Sequence, residues 1–213
     1  PMSTATPSKT IPLVVFCVLV AAVAGVLSAR YVFQPSGGST PDDVSVLEPA
    51  RVLPELKLID GESKSFGLDR LRGQWSLLFF GFTHCPDICP NTLGILNAVH
   101  SSLKANSNNP PLKIIFVSVD PRRDTPAALR EYVRYFDEDF IGITGEIPQI
   151  RRLTEALYLP FAYDDNPDGS YTVEHSAALV LINPQAQARA YFTPPHAAQK
   201  LAEDITAVMN ISK

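Results

Sequence analysis

The sequence predicts an α/β domain in which a mixed sheet is flanked by helices. Two continuous apolar runs, WSLLFFGF at 75–82 and LKIIFVSVD at 112–120, are typical of strands that are buried on both faces. Between these runs, residues 91–105 carry apolar side chains at helical spacing. The resulting order, β-α-β-α-β-α-β-β-α, places parallel crossovers first and an antiparallel pair last.

The other elements follow from local signals along the chain. VLPELKLID, at 52–60, predicts a first strand. TPAALREYVRYF predicts a helix, because Thr125 suits the N-cap and Pro126 suits the first helical position. NPDG, at 166–169, predicts a hairpin turn between FAYD and YTVEHS. The remaining predicted elements are a strand at 140–145, a helix at 147–159, strands in ALVLINP and ARAYFT, and a closing helix at 196–211.

The N-terminal part of the chain reads as a membrane anchor. Residues 11–29 carry no charge, and a helix of that length spans about 28 Å, close to the thickness of a hydrocarbon core. The exit from this run is a poor signal-peptidase site, and the preceding residues are not Arg-rich as in an organellar presequence. We therefore predict a single-pass protein of the bacterial inner membrane whose soluble domain faces the periplasm.

Composition divides this protein into four predicted segments. We expect a cytoplasmic N-terminus at 1–10, a transmembrane anchor at 11–30, a flexible tether at 31–50 and a globular α/β domain at 51–213. The tether is predicted because its sequence is rich in Pro, Gly, Ser and Asp and has no apolar period.

Charge excludes one class of partner. The chain has a formal net charge of −4, and because the first 35 residues contain Lys9 and Arg30 but no acid, the remainder carries −6. Nucleic-acid binding depends on neutralising phosphates with basic side chains. We therefore expect no nucleic-acid partner.

Two of the three cysteines form a closely spaced pair that is suited to redox or metal chemistry. Cys17 lies within the apolar run and is expected to pack as a small apolar residue. Cys85 and Cys89 follow a buried strand at once and precede a helix, which is typical of a thioredoxin-like fold. We expect Cys89 in the first turn of that helix, where the helix N-terminus would lower the pKa of a thiol. The spacing alone fits a redox pair, a metal clamp or a structural disulfide.

A third ligand would decide between these readings, and the chain offers four histidines. His175 begins an apolar strand after the hairpin, so that it borders the cysteine loop in this topology. His84 is expected to point away from the two sulfur atoms. His100 is expected on the solvent face or at the end of its helix, and His196 at the surface or in a cap. Position alone leaves two readings of His175 open, a third metal ligand or a hydrogen-bonded histidine at the edge of the sheet.

Taken together, the segments FGFTHCPDICP, VSVDPRRDTPAALREYV, FIGITG and YTVEHSAALVLINP resemble the Sco (SenC) family of membrane-anchored copper proteins. That family serves assembly of the binuclear copper centre in subunit II of cytochrome c oxidase. The resemblance covers roughly residues 45–210. It implies that residues 51–213 form a thioredoxin-like copper-binding domain with an inserted β-hairpin. It also implies that Cys85, Cys89 and His175 are the ligands of copper, as Cu(I) or Cu(II).

The resemblance implies a copper chaperone that delivers its metal to subunit II without catalytic turnover. Soft thiolates suit Cu(I), the mixed sulfur and nitrogen set tolerates Cu(II), and a closed zinc site would need a fourth ligand. An alternative is a thiol–disulfide oxidoreductase that reduces the oxidase cysteines, with Cys85 and Cys89 as its redox-active pair. A redoxin-type peroxidase is a third reading, for which Arg122 and Arg123 are the arginines placed nearby. Another periplasmic copper chaperone and a thioredoxin-like reductant are further partners to expect.

Two carboxylates, Asp120 and Asp124, lie in the segment Asp120–Pro126 that the resemblance also covers. One interpretation is structural, in which Asp120 ends a strand and Asp124 helps cap the next helix. The other is functional, in which a carboxylate accepts a hydrogen bond from the His175 ring and fixes its tautomer. Trp75, Phe79 and Phe80 are expected in the core. We also expect copper loading to need the reduced cysteine pair and to weaken at low pH.

Overall fold

The structure is a computed structural model that describes residues 44–106 and 109–211. Ten strands and four α-helices lie within these residues. The strands are β1 (Val44–Val52), β2 (Leu58–Asp60), β3 (Ser65–Phe66), β4 (Trp75–Gly81), β5 (Leu112–Ser118), β6 (Ile141–Thr144), β7 (Ala162–Asp165), β8 (Tyr171–Glu174), β9 (Leu179–Ile182) and β10 (Gln187–Phe192). The helices are α1 (Ile88–Ala105), α2 (Pro126–Phe136), α3 (Ile147–Ala156) and α4 (Ala198–Ile211).

Eight of the strands form one mixed sheet in the order β1-β10-β9-β4-β5-β6-β2-β3. Its centre is parallel, because β4 pairs with β5 and β5 with β6 through helical crossovers. β9 pairs antiparallel with the other side of β4. The predicted mixed sheet is therefore confirmed. The predicted hairpin is also present, and β7 and β8 form a two-stranded sheet of their own.

Strand β4 shows why the central runs are continuously apolar. Side chains alternate across a strand, so Leu77 and Phe79 belong to one core while Leu78 and Phe80 belong to the other. Helices α1, α2 and α4 contribute to the first core, and α3 contributes to the second. Trp75, Phe79 and Phe80 are all buried, as predicted.

Helix α2 begins as its sequence predicts. Thr125 is the N-cap, and its hydroxyl accepts a hydrogen bond from the Ala128 amide at 3.3 Å, with Pro126 as the first helical residue. Such a cap stabilises a helix by about 1 kcal/mol relative to alanine. This cap fixes where the chain turns after β5, which is also where Asp120 and Asp124 lie.

Two predictions for the first part of the domain are wrong. Residues 44–50 were expected in the flexible tether, but they belong to β1, which pairs antiparallel with β10. The prediction missed this edge strand because Pro49 interrupts its sequence. Pro49 lies where the register shifts between Val46 and Arg51, and such an irregular position tolerates proline. The strand predicted over 52–60 is reduced to its last three residues, since Val52 ends β1 and only Leu58–Asp60 form β2.

The predicted cytoplasmic segment 1–10, the anchor 11–30 and the tether up to residue 43 lie outside the described residues. Among the helices within 44–106 and 109–211, none combines the length and the apolar character that a membrane span requires.

Candidate metal centre

The cysteine pair lies where the central strand β4 passes into helix α1. Cys89 is the second residue of α1 and is buried, whereas Cys85 precedes the helix and is partly exposed. The amide of Cys89 donates a hydrogen bond to Cys85 Sγ at 3.4 Å. The predicted placement of Cys89 in the first turn of the helix is therefore confirmed. Both cysteines are free thiols in this structure.

His175 brings the third potential ligand to the two sulfur atoms. The Sγ atoms of Cys85 and Cys89 and a ring nitrogen of His175 all lie within 4.8 Å of one another. The Nε2 atom is 3.5 Å from Cys89 Sγ. This spacing suits three atoms that share one ion with bonds near 2.3 Å to sulfur and about 2.0 Å to nitrogen.

The orientation of the His175 ring prepares it to bind a metal. Its Nδ1 atom lies 3.1 Å from the backbone carbonyl oxygen of Ser176, which can only accept a hydrogen bond. Nδ1 therefore carries the proton in the neutral ring, and Nε2 directs its lone pair towards the thiols. The edge of the ring packs at 88° against Phe82, with ring centroids 5.7 Å apart.

Burial controls the protonation of both inner ligands. It raises the pKa of the Cys89 thiol, and nearby Cys85 and Asp124 add to the increase. The lowering expected from the helix N-terminus is therefore wrong for Cys89, because desolvation outweighs it. Burial lowers the pKa of His175, although carbonyl groups of Ser176 and Phe80 partly oppose this. The imidazole is consequently neutral near pH 7.

Copper affinity is expected to rise by about tenfold per pH unit for each proton that binding releases. Because burial keeps Cys89 protonated in the free protein, copper must displace at least that proton. The neutral His175 ring releases none near pH 7. Competition titrations between about pH 6 and pH 8, corrected for the protonation of the competing chelator, measure this slope. A flat profile would contradict this ionisation scheme.

Gly81, the last residue of β4, provides the space for the buried thiol. A Cβ atom at this position would lie 2.6 Å from Cys89 Sγ and 2.7 Å from the Phe116 ring. Both distances are far below van der Waals contact. The close approach of helix α1 to β4 at the metal centre therefore requires glycine here.

The two predicted carboxylates lie beside the cysteine loop and the hairpin, but neither accepts a hydrogen bond from the His175 ring. Asp124 accepts hydrogen bonds from the Thr83 amide at 3.0 Å, the Thr83 hydroxyl at 2.6 Å and the Ser118 hydroxyl at 2.6 Å. Asp120 accepts from Arg123 Nε at 2.5 Å and from the Tyr171 hydroxyl at 2.8 Å. The functional interpretation, in which a carboxylate orients the imidazole, is wrong. The Nδ1 atom of His175 donates instead to the backbone carbonyl oxygen of Ser176.

The other histidines lie outside the three-atom group. His84 is exposed, and its Nδ1 atom contacts the Thr83 hydroxyl at 3.0 Å. His196 contacts the Ala177 carbonyl oxygen through Nε2 at 3.0 Å. His100 is buried rather than on the solvent face, because its Nδ1 atom pairs with Asp137 at 2.8 Å.

A second group of potential ligands consists of His100, Asp137 and Asp139. Lys104 already neutralises Asp139 at 2.7 Å, and the pairing of His100 with Asp137 ties α1 to the end of α2. In this arrangement all three side chains already have partners that join elements of the fold, so the group is structural.

The sequence of this domain matches a known family. Residues 45–210 match the family model described as SCO1/SenC. The chain belongs to the SCO1/SenC family. The match covers β1 except its first residue, Val44, which agrees with the finding that residues 44–50 form a strand rather than a tether.

Relatives of this Sco chain occur in bacteria and in mitochondria. A Stutzerimonas stutzeri protein that is named for copper binding is 39% identical over 153 residues, which are 72% of this chain and 74% of that protein. The mitochondrial SCO2 homolog of Bos taurus is 38% identical over 135 residues, which are 63% of this chain. The aligned part spans 51% of the bovine protein, or about half its length.

A solved structure supports the same fold. The crystal structure of Arabidopsis thaliana ScoI with copper bound superposes with a TM-score of 0.70 at 31% identity, covering 75% of this chain and 99% of that chain. The thioredoxin-like Sco fold, with a large sheet flanked by helices, is therefore shown for this chain.

Sequence reasoning missed several residues that shape the site. Thr83 and Ser118 hold Asp124, and Tyr171 holds Asp120. Arg123, which the sequence placed nearby only for the peroxidase reading, also holds Asp120. Gly81 could have been found, because a glycine that ends a buried apolar strand often marks a close approach. The pairing of Asp124 with Thr83 and of Asp120 with Tyr171 could not, since these residues lie 41 and 51 positions apart in the chain.

Proposed function

We propose that this chain is a copper chaperone that binds copper through Cys85, Cys89 and His175. It delivers the metal to the binuclear copper centre in subunit II of cytochrome c oxidase during oxidase assembly. The observation that carries the proposal is the reduced Cys–Cys–His cluster, with the Nε2 lone pair of His175 directed at the thiols. Membership of the Sco family and the copper-bound Arabidopsis relative support it.

The chemistry of the donor set fits copper better than a structural metal. Two thiolates are soft ligands that hold Cu(I), and a neutral imidazole adds a ligand that Cu(II) also accepts. A closed structural zinc site uses four protein ligands, and this group has three. Three ligands leave room for a ligand of the client to reach the metal before the chaperone releases it.

The proposal includes a location. A bacterial inner-membrane anchor over 11–30 would hold the domain at the periplasmic face of that membrane. The support is the uncharged run in the sequence.

A second candidate function is thiol–disulfide exchange on the same client. The partly exposed Cys85 favours it, since an accessible thiol beside a buried one suits attack on a disulfide. In that reaction the two thiols of this chain become a disulfide, and the client's disulfide becomes two thiols. This activity requires Cys85 and Cys89 but not His175.

The His175→Ala variant separates the two functions. We expect it to weaken Cu(II) binding by about 100-fold and Cu(I) binding by a smaller factor, because two thiolates remain for Cu(I). The reduced full chain and the variant would each be titrated against chromophoric chelators specific for Cu(I) and for Cu(II). His84→Ala is the matched control, since it removes an exposed imidazole outside the three-atom group.

Each result assigns a function. One tightly held copper per chain, weakened by His175→Ala and unchanged by His84→Ala, supports the chaperone. Weak copper binding that is indifferent to His175, together with reduction of a disulfide-bonded peptide from the client's copper site, would replace the chaperone by a reductase.

A further inference from the structure

The ligand His175 is carried by a hairpin that is separate from the main sheet. Strands β7 and β8 pair only with each other among the described strands, and His175 directly follows Glu174 at the end of β8. Cys85, by contrast, lies in the loop that follows the central strand β4, and Cys89 lies in the first turn of α1. Whatever fastens the hairpin therefore determines where the imidazole lies relative to the two sulfur atoms.

Asp120 is the centre of that fastening. Its carboxylate is fully buried and accepts hydrogen bonds from the Tyr171 hydroxyl at 2.8 Å and from Arg123 Nε at 2.5 Å. Arg123 Nη1 also donates to the Tyr171 carbonyl oxygen at 3.4 Å, and its guanidinium carbon lies 4.1 Å from the centre of the Tyr171 ring. Asp120, Arg123 and Tyr171 thus close a ring of contacts on the first residue of β8.

The same arginine also reaches the His175 side of the site. Its guanidinium carbon lies 5.4 Å from the centre of the Phe82 ring, and that ring packs edge-on against His175. The other strand of the hairpin, β7, is attached through Val119, the residue before Asp120. The Tyr163 hydroxyl on β7 donates to the Val119 carbonyl oxygen at 2.7 Å. Apolar packing of Val173 completes the attachment.

The cysteine side is held by a different carboxylate of the same turn. Asp124 accepts hydrogen bonds from the amide and the hydroxyl of Thr83, two residues before Cys85, and from the hydroxyl of Ser118. The oxygen of that hydroxyl accepts the amide of Asp120 at 3.1 Å. The segment that follows β5 therefore holds both sides of the metal centre. Asp120 contacts the hairpin that carries His175, and Asp124 contacts the loop that carries Cys85.

We propose that Asp120, acting through Tyr171, is a positioning residue that fixes His175 and so sets how strongly the site holds Cu(II) relative to Cu(I). The inference rests on the proposed copper-binding function. Two thiolates suffice for Cu(I), whereas Cu(II) depends on the imidazole as well. Loosening the hairpin therefore weakens Cu(II) binding selectively, while loosening the cysteine loop weakens both oxidation states.

The decisive variant is Tyr171→Phe, which removes one hydroxyl from a partly exposed hairpin residue and leaves the ring in place. In the full chain, we expect Cu(II) affinity to fall by at least about tenfold, as for other groups that orient a ligand, while Cu(I) affinity changes by less than about threefold. The nitrogen hyperfine coupling in the electron paramagnetic resonance spectrum of Cu(II) is expected to weaken or broaden. Asp120→Asn, a second variant of similar shape, is expected to shift the two affinities in the same way.

Tyr191→Phe is the matched control. It removes the hydroxyl of another partly buried tyrosine, which donates to the Leu157 carbonyl oxygen at 2.9 Å, and this tyrosine belongs to β10 rather than to the hairpin. It is expected to leave both affinities and the hyperfine coupling unchanged.

Two results would overturn the positioning role. One is an unchanged ratio of Cu(II) to Cu(I) affinity in folded Tyr171→Phe, as judged by an unfolding transition like that of Tyr191→Phe. The other is an equal loss of both affinities, which is the pattern of general damage to the site. Failure of the proposed function looks different, because the unmodified chain itself would then bind neither form of copper tightly.

Discussion

Cys89→Ser is expected to abolish tight copper binding, lowering Cu(I) affinity by more than about 100-fold. Cys89 is the buried sulfur at the centre of the site, since its Sγ atom lies 3.5 Å from His175 Nε2 and its amide donates to Cys85 Sγ. Serine keeps the size and the amide contact but supplies a hard, protonated oxygen in place of a soft thiolate. Competition against a Cu(I) chelator under reducing conditions measures the loss.

Cys17→Ser is the control for this measurement. It removes the third cysteine of the chain, which lies in the uncharged run at 11–29 rather than near the metal centre in sequence. We expect it to bind copper like the unmodified chain. Equal losses in both variants would mean that cysteine content, and not the cluster of Cys85, Cys89 and His175, determines binding.

Gly81→Ala is expected to lower the free energy of unfolding by about 1–3 kcal/mol, or more if the backbone cannot yield. The added Cβ would meet Cys89 Sγ at 2.6 Å and the Phe116 ring at 2.7 Å, and both groups are fully buried. Relief requires movement of helix α1 or of the aromatic ring. Because the thiol moves with α1, copper affinity is expected to fall together with stability.

The matched control is Gly94→Ala in the same helix, where a Cβ meets no atom within 4 Å. Alanine is a better helix former than glycine, so this variant is expected to gain about 0.5–1 kcal/mol. Denaturant unfolding of the reduced, copper-free proteins compares the two. Equal stability of Gly81→Ala and the unmodified chain would show that the interior accommodates the methyl group, contrary to the close approach described above.

The central strands were predictable because burial on both faces leaves a direct mark on the sequence. The residues of β4 are apolar or small without interruption, and such a run has few alternatives to a central strand. The edge strand β1 was not predictable in the same way. Its burial alternates only weakly, Pro49 interrupts it, and its partner β10 lies more than a hundred residues away.

The candidate ligands were predictable as residue types, but their protonation was not. The position of Cys89 at a helix N-terminus favours a thiolate, and that local effect is visible in the sequence. Desolvation by the surrounding core acts in the opposite direction and depends on packing, which no local pattern reveals. In the same way, the segment Asp120–Pro126 drew attention, but its bond to Tyr171 joins residues 51 positions apart.

The antiparallel pairing of β4 with β9 couples copper binding to folding. Cys85 and Cys89 follow β4, whereas His175 precedes β9, so the three ligands meet only after strands from distant parts of the chain have paired. An unfolded chain offers two nearby thiols but no oriented imidazole. Metal that binds the folded form more tightly also stabilises it. Copper binding and folding are thus thermodynamically linked, and only the folded chain is expected to bind copper tightly.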